Sequence, residues 1–487
     1  MVDPAALARR VEKLTSILEV SKALAAERRL STLLGRIVEA GAHVAEAERC
    51  TLFVVDRERG ELWSKVAQGS AEIRIPLSTG LAGAVASTGE PLRIADAHED
   101  PRFNPAVDRA TGYRTRSVLA VPMWNTRGEI VGVLQALNRR GEDGFGPEDE
   151  ELLGALAGPA ASALENALLN EEIERLFEGF VQASVVAIEQ RDPTTAGHSG
   201  RVATLTVGLA RAVERAGLAT LPGLRFAAAD LQQLRYAALL HDFGKVGVRE
   251  HVLVKADKLY PHELSLVAAR FEVARLALEN QALRARLDGR GEAEGALLAR
   301  AREVAGLWQV VVAANRPTVL AEDAPARLAA AAAVTYPGPD GEAPLLTPGE
   351  LHALSIPRGS LTEEERREIE AHVTHTYRFL AQIPWTRALS RVPEIAYAHH
   401  EKLDGHGYPR AVPGPGIPVE SRMMTIADIY DALTASDRPY KKALPVERAL
   451  SILEDEAKRG QIDAGLLQVF VEAKLWVPRP GPGEPAP

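Results

Sequence analysis

Apolar positions near the start of the chain fall at helical spacing: Leu7, Val11, Leu14 and Leu18 lie four, three and four residues apart within 4–48, a stretch rich in Ala, Leu, Glu and Arg. Such a stripe predicts helix. From Thr51 the texture changes to short β-branched and aromatic runs, TLFVVD, ELWSKVA, SVLAVPMW and EIVGVLQALN, separated by Gly, Pro and charged turns. Strands punctuated in this way predict an α+β domain over roughly 30–165. Helical spacing returns from Pro147 to Gln190, where Leu169, Ile173, Leu176, Phe180 and Ala187 mark one face and Gly158-Pro159 predicts a kink. After Arg191 nearly every apolar pattern is helical. Two features interrupt it: an Ala/Arg/Leu/Glu-rich stretch at about 262–316, which predicts a helical hairpin turning near Gly289–Gly291, and a Pro/Gly-rich loop at Tyr336–Pro348. The tail VPRPGPGEPAP is too rich in Pro and Gly to pack and predicts disorder.

The fold class is therefore multidomain, an α+β sensor-sized domain followed by an all-α helical bundle. The expected boundaries are an N-terminal helix over 1–29, the α+β domain over 30–165, a connector helix over 166–190, the helical domain over 191–477 with an insertion at about 256–356, and a tail over 478–487.

Composition narrows the chemistry. The chain has 487 residues, 46% apolar and 25% charged, with 57 Lys+Arg against 66 Asp+Glu and a net charge of −9. At roughly 150 residues per domain this is about three ordinary globular units. The acidic balance argues against holding a nucleic-acid polymer by bulk charge. The single cysteine, Cys50, excludes an intrachain disulfide and any Cys-based zinc or iron–sulfur centre. The N-terminus lacks the basic and apolar regions of a secretory signal, and no run of about 18 apolar residues is evident, so the reading is cytoplasmic with no membrane span.

Histidines beside aspartates carry the chemistry. The C-terminal half holds His198 in TAGHSGRV, His241 and Asp242 in LLHDFGKVG, His372 in EIEAHVTHTYRFL, His399 and His400 in YAHHEKLDGHGYP, and Asp428 in TIADIYDAL, mostly flanked by apolar residues. A buried imidazole or carboxylate costs several kcal/mol unless paired, hydrogen-bonded or ligated. Adjacent His and Asp suit a metal, because carboxylate oxygens can bridge two ions while imidazole supplies a neutral nitrogen.

Four ordered blocks, RDPTTAGHSGRV, LLHDFGKVGV, AHHEKLDGHGYP and IADIYDALTASDRPYK, resemble the HD-GYP family of cyclic di-GMP phosphodiesterases over about Phe180–Val477. The resemblance implies His198, His241, Asp242, His372, His399, His400 and Asp428 as ligands of a multinuclear metal site. It implies Lys245, Arg438 and Lys441 as substrate-phosphate contacts, and Gly405, Gly407, Tyr408 and Pro409 as the loop over the substrate, with Tyr408 stacking on a base or simply packing. His241, Asp242 and Lys245 form its catalytic group. Three-metal relatives resemble one another in carrying a Glu four residues before the first ligand, where this chain has Thr194, so two divalent ions are expected. Iron or manganese is favoured on family grounds, with nickel or zinc compatible. The long insertion before His372 leaves His375 as its rival. The implied reaction is metal-assisted hydrolysis, in which paired cations activate a water for in-line attack on phosphorus while the cationic side chains offset developing charge.

The first domain resembles a GAF domain. Asn138, Arg139, Phe145, Asp149 and Glu150 in LNRRGEDGFGPEDE echo the Asn-Lys-Phe-Asp-Glu motif of cyclic-nucleotide-binding GAF domains, with Arg for Lys. The structural reading is an Arg139–Asp149 pair pinning the last strand to the exit helix; a small-molecule ligand is the alternative. Cys50 reads as a buried small hydrophobe. Two chains pairing along Leu169, Ile173, Leu176 and Phe180 would make a homodimer in which the sensor shifts the first ligand. Hydrolysis of cyclic di-GMP to linear pGpG or GMP is the expected activity. The rivals are another cyclic dinucleotide such as cyclic GMP-AMP, or a catalytically idle cyclic di-GMP receptor.

Overall fold

The computed structural model describes residues 4–27, 29–64, 73–105, 108–109, 112–141, 144–192, 196–217, 221, 223–338, 341–435 and 443–477, with the backbone alone for 4–9. The chain divides into two compact units, Met1–Gly179 and Phe180–Pro487. Thr194, Arg438, Lys441 and the tail beyond Val477 lie outside the described residues.

In the first unit, helices α1 (Pro4–Ala26), α2 (Leu30–Val44) and α3 (Gly80–Thr88) accompany strands β1 (Ala47–Asp56), β2 (Glu61–Ser64), β3 (Ile73–Pro76), β4 (Leu92–Ile94), β5 (Val118–Trp124) and β6 (Ile130–Arg139). The strands form one antiparallel sheet in the order β3-β2-β1-β6-β5-β4. Side chains alternate across it as the pleat requires. Leu52, Val54, Leu119, Val121 and Leu134 pack with α1, α2 and the start of α4 (Pro147–Arg191) on one face, while Phe53, Ala120 and Val133 meet Ala82 and Val85 of α3 on the other.

The predicted N-terminal stripe is not the buried one. Val11, Leu14 and Leu18 are exposed, whereas Ile17 and Leu24 enter the core. Spacing alone could not choose between two apolar stripes on one helix. On α4, likewise, Leu169, Ile173 and Leu176 are exposed, while Val181, Val185 and Ile188 are buried. This helix runs through Pro159 without interruption. It holds no unbroken apolar run of about 18 residues, yet by length and composition one window of α4 is apolar enough to cross a bilayer. Half of that window is buried in protein, where Leu152, Leu156, Ala160 and Leu164 pack on the sheet.

The second unit contains α5 (His198–Ala216), α6 (Ala228–Leu240), α7 (Glu250–Leu253), α8 (Pro261–Leu287), α9 (Gly291–Asn315) and α10 (Ala324–Ala333). It continues with β7 (Thr335–Gly338), β8 (Gly341–Pro344), α11 (Pro348–Leu354), α12 (Glu363–Leu380), α13 (Val392–Tyr397), α14 (Val419–Thr434), α15 (Val446–Lys458) and α16 (Ala464–Glu472). The expected loop at Tyr336–Pro348 is instead a two-stranded hairpin, β7 with β8, leading into α11, so the insertion is not wholly helical. Gly341, at a φ of +119°, supplies backbone freedom at its turn. Helices α8 and α9 fold back on each other at Gly289, which sits in left-handed conformation with a φ of +72°. The insertion has its own apolar cluster, including Val267, Phe271, Val304, Val311, Leu328 and Leu354. Its neck is closed by fully buried Lys258, whose Nζ donates to the carbonyls of Leu354 (3.0 Å) and Ile356 (2.6 Å), and whose N–H donates to Asn315 (2.9 Å). Burial lowers the pKa of this ammonium.

Candidate metal centre

The family-implied ligands emerge from five places in the bundle. His198 is the first residue of α5, His241 caps the C-terminus of α6 with Asp242 following, and His372 lies within α12. His399 and His400 follow the end of α13, and Asp428 lies within α14. Helix ends let backbone and side chain converge without a loop crossing the core. Three groups of donor atoms lie within 4.8 Å of one another: His372, His399 and His400; His198, His241 and Asp242; and His241, His399 and Asp428.

The hydrogen bonds aim the imidazoles. Nδ1 of His241, His372 and His399 meets the carbonyl oxygen three residues earlier, at Ala238 (2.8 Å), Ile369 (2.6 Å) and Ala396 (2.6 Å). A carbonyl only accepts, so each Nδ1 must carry the proton and each Nε2 keeps its lone pair. All three Nε2 atoms are buried without a hydrogen-bond partner among the described residues. An unsatisfied buried acceptor costs about 1–3 kcal/mol, and here the same cost recurs at three neighbouring nitrogens. A cation removes it.

Charge agrees. Burial is the largest influence on His241, His399 and His400; it lowers all three, His400 to about 3, and so favours their neutral, metal-ready forms. For Asp242, burial works upward, but Lys245, His241 and His372 hold the carboxyl well below its ordinary range. Asp428 follows the same logic, with His198 prevailing over burial. His198 is the exception among the imidazoles: burial works downward, yet Asp428 and Asp431 raise it to about 9. Its Nε2 lies 3.2 Å from Asp428 Oδ1 and 3.9 Å from Asp242 Oδ2, a spacing that a proton now satisfies and a divalent ion could take over. His372 Nε2 is 3.2 Å from Asp242 Oδ1. The residues present thus fit divalent metal ions by donor type, tautomer and charge.

Lys245 Nζ contacts Asp242 Oδ2 at 2.8 Å and Asp192 Oδ2 at 3.1 Å, so the site's cation is held beside a ligand carboxylate. His375, the rival to His372, belongs to none of the three groups and packs on Gly247, where an added Cβ would come within 2.8 Å of its Nδ1. The Gly405–Pro409 loop folds over His400: the Tyr408 ring centroid is 4.7 Å from that imidazole and the Tyr408 N–H donates to the His400 carbonyl. Gly407 is obligatory, since a Cβ there would lie 2.2 Å from the Lys402 nitrogen, and Gly405 adopts a φ of +78°. The Tyr408–Pro409 peptide is cis.

Sequence reasoning missed the supporting shell. Asp431 accepts from His198 Nδ1 at 2.7 Å and takes a two-pronged contact from Arg201 (2.7 and 3.0 Å), fixing the ring of the first ligand. Thr376 Oγ1 donates to the His241 carbonyl (2.9 Å) and accepts from the Gly244 N–H (2.8 Å). Glu401 accepts from the Arg410 and Val412 N–H groups and braces the loop. A usable signal existed for Asp431, one helical turn beyond Asp428 on the same face of α14.

In the first unit, Arg139 Nε donates to Asp149 Oδ2 (2.9 Å), joining the end of β6 to the first turn of α4. Asn138 donates to Glu48 and the Arg114 carbonyl and accepts from the Arg116 N–H. These contacts support the structural reading of the motif. Cys50 is buried, and burial pushes its thiol up to about 12.

Comparison with known proteins agrees with this division. A GAF-domain model matches residues 29–164, and two HD-domain models match 195–306 and 342–466. The chain is 34% identical over 161 residues to the probable 3′,5′-cyclic phosphodiesterase pde-5 of Caenorhabditis elegans, covering 30% of this chain and 22% of that protein. It is 44% identical over 107 residues to the 3′3′-cGAMP-specific phosphodiesterase 3 of Vibrio cholerae, covering 22% of each. These matches span about a fifth of the length of either relative. Among solved structures, the GAF domain of a phosphoenolpyruvate-protein phosphotransferase from Coxiella burnetii aligns at 23% identity and a TM-score of 0.30, covering 34% of this chain and 98% of that one. The chain carries a GAF domain followed by a helical HD domain.

Proposed function

We propose that this GAF–HD chain is a metal-dependent phosphodiesterase that hydrolyses a cyclic dinucleotide, with cyclic di-GMP as the substrate, and that it works in the cytoplasm under control of the GAF domain. The observation that carries the reading is the trio of buried Nε2 lone pairs on His241, His372 and His399, interleaved with the ionised carboxylates of Asp242 and Asp428. His198, His241, Asp242, His372, His399, His400 and Asp428 would hold two divalent ions, iron or manganese first. Bound there, the ions would supply a hydroxide nucleophile at neutral pH and Lewis-acid polarisation of the phosphoryl oxygen.

The chain's own residues do the rest. Lys245, partly exposed beside Asp242, is placed to exchange a carboxylate contact for a phosphate oxygen and to offset charge as it develops. Arg438 and Lys441 are proposed for the second phosphate on the resemblance alone. Gly407 lets the backbone of the loop approach closely, and Tyr408 restrains His400 from the substrate side. Asp431 keeps the His198 ring in the tautomer that presents Nε2 inward. The GAF domain would bind a small molecule, and two chains would pair through the exposed Leu169, Ile173, Leu176 and Phe180 of α4.

Cyclic GMP-AMP is the second reading, favoured by the 44% identity to a relative named for that substrate. The test is anaerobic turnover of both cyclic dinucleotides with added iron or manganese, comparing wild type with Asp242→Ala. Hydrolysis of cyclic di-GMP by wild type and not by the variant is expected. Selective hydrolysis of cyclic GMP-AMP would replace the substrate assignment, and inactivity towards both under every metal condition would leave the idle receptor instead.

A further inference from the structure

Helix α8 has two apolar faces, and α9 uses only one. Val267, Phe271, Ala274, Ala282 and Ala285 are buried, the first three in the insertion's own apolar cluster. On the opposite side of the helix lies a second series: Leu266, Ala269, Val273, Leu276, Asn280, Leu283 and Leu287. Every one of these is exposed, Leu266 by 58%, Leu283 by 60% and Leu287 by 87%.

The spacing of the outer series is three and four in strict alternation, the heptad repeat of a coiled-coil seam, over about 32 Å of helix. A helix needs no such repeat to dissolve in water. Taking Leu266 as position a places Val273, Asn280 and Leu287 at a, and Ala269, Leu276 and Leu283 at d. Val273 at a with Leu276 and Leu283 at d is compatible with two parallel strands, and one asparagine at a sets their register. The flanks are consistent with that arrangement. In a parallel pair the g residue of one helix faces the e residue of the next heptad on the other, which sets Glu279, already paired with Arg275 of its own helix, against Arg284 of the second copy, twice by symmetry. Arg284 has no side-chain partner within its own chain among the described residues, and neither does Asn280.

We infer that the outer face of α8 is a self-association surface whose occupant is the same helix of a second copy, parallel and in register. The argument for identity is the self-complementarity of the face: an amide at a is satisfied only by a polar group at the same level, and a symmetric parallel pair brings Asn280 to Asn280. The inference rests on the insertion alone and stands apart from the metal centre and its activity.

Homotypic cross-linking of the full-length chain tests it. Cys50 is buried and is the single native thiol, so Asn280→Cys introduces the one accessible sulfur. Under mild oxidation, Asn280→Cys is expected to form an interchain disulfide roughly tenfold or more faster than Gln281→Cys, its exposed neighbour off the seam. Adding Leu276→Glu and Leu283→Glu should abolish the Asn280→Cys cross-link while the far-ultraviolet circular dichroism stays at the parent value, because both leucines face solvent in the single chain. Equal rates at 280 and 281, or cross-linking that survives the two glutamates, would overturn the proposal, whatever other surface joins the chains.

Discussion

Gly244 offers the most direct perturbation of the centre that leaves every ligand in place. It follows Asp242 by two residues, in the 3-10 turn Phe243–Gly247, and faces α12. A Cβ at this position would lie 1.9 Å from the carbonyl oxygen of His372 and 2.5 Å from the Thr376 nitrogen. Both obstacles are backbone, so no side-chain rotation relieves them. Restoring an ordinary contact requires the turn and α12 to separate by roughly 1.5 Å. Metal–ligand distances tolerate about ±0.2 Å, so the retreat of His372 exceeds that tolerance severalfold. The Gly244–Thr376–His241 hydrogen-bond chain breaks with it. Overpacking of about 1–3 kcal/mol and two hydrogen bonds of about 1 kcal/mol each sum to about 3–5 kcal/mol. The assay pairs metal content by plasma mass spectrometry with urea unfolding of the metal-free protein. Gly244→Ala is expected to keep its fold, lose the ion that depends on His372 and unfold at lower urea. Gly200→Ala, two residues after His198 with nothing within 4 Å of its would-be Cβ, is the control and should match or exceed wild-type stability. A Gly244→Ala protein with full metal content and wild-type unfolding would refute the geometry.

Asp431→Asn should weaken metal binding about 10- to 100-fold in chelator competition while the far-ultraviolet spectrum holds, since the His198 ring loses its charged support; an unchanged affinity would remove Asp431 from the positioning shell. In the metal-free protein the raised His198 contributes stability that is fully present below its ordinary value of 6.5 and lost as pH climbs through about 9, about 3 kcal/mol across that window. Melting of chelator-treated protein should therefore decline from pH 6.5 to 9, and the metal-loaded protein should lack this component; identical pH profiles would count against ligation through His198. Lys258→Met should destabilise the chain by about 2–4 kcal/mol in calorimetry, because the Leu354 and Ile356 carbonyls lose a charged donor in a buried neck; a neutral effect would show that water reaches them.

Much of the architecture was legible because its signals are local. The strand runs at TLFVVD, SVLAVPMW and EIVGVLQALN correspond to β1, β5 and β6, and the turn of the hairpin insertion falls at Gly289. The resemblance carried by the His/Asp blocks picked out residues that fall into three groups, each with donor atoms within 4.8 Å of one another. What stayed hidden depends on relations between distant residues. Periodicity on α1 showed an apolar stripe at Val11, Leu14 and Leu18, yet the packed face is set by Ile17 and Leu24, which join the core that α1 shares with its neighbour α2. The β7–β8 hairpin escaped notice because Gly and Pro at both ends read as loop, and only cross-strand pairing makes such short segments strands. The requirement for glycine at 244 is likewise invisible in the chain, since the obstacle comes from residues 372 and 376.

The clasp at Lys258 changes how the insertion should be regarded. A stretch of chain departs at residue 258 and, 98 positions later, returns to within one hydrogen bond of its exit. Entry and exit coincide, so whatever hangs beyond them imposes almost no geometric demand on the bundle, and closing a shorter loop differs in entropy by only about 1–2 kcal/mol. The excursion is thus a detachable appendage in evolutionary terms: its length and cargo can drift, or be exchanged for another module, while the cradle that orders His241 against His372 stays undisturbed.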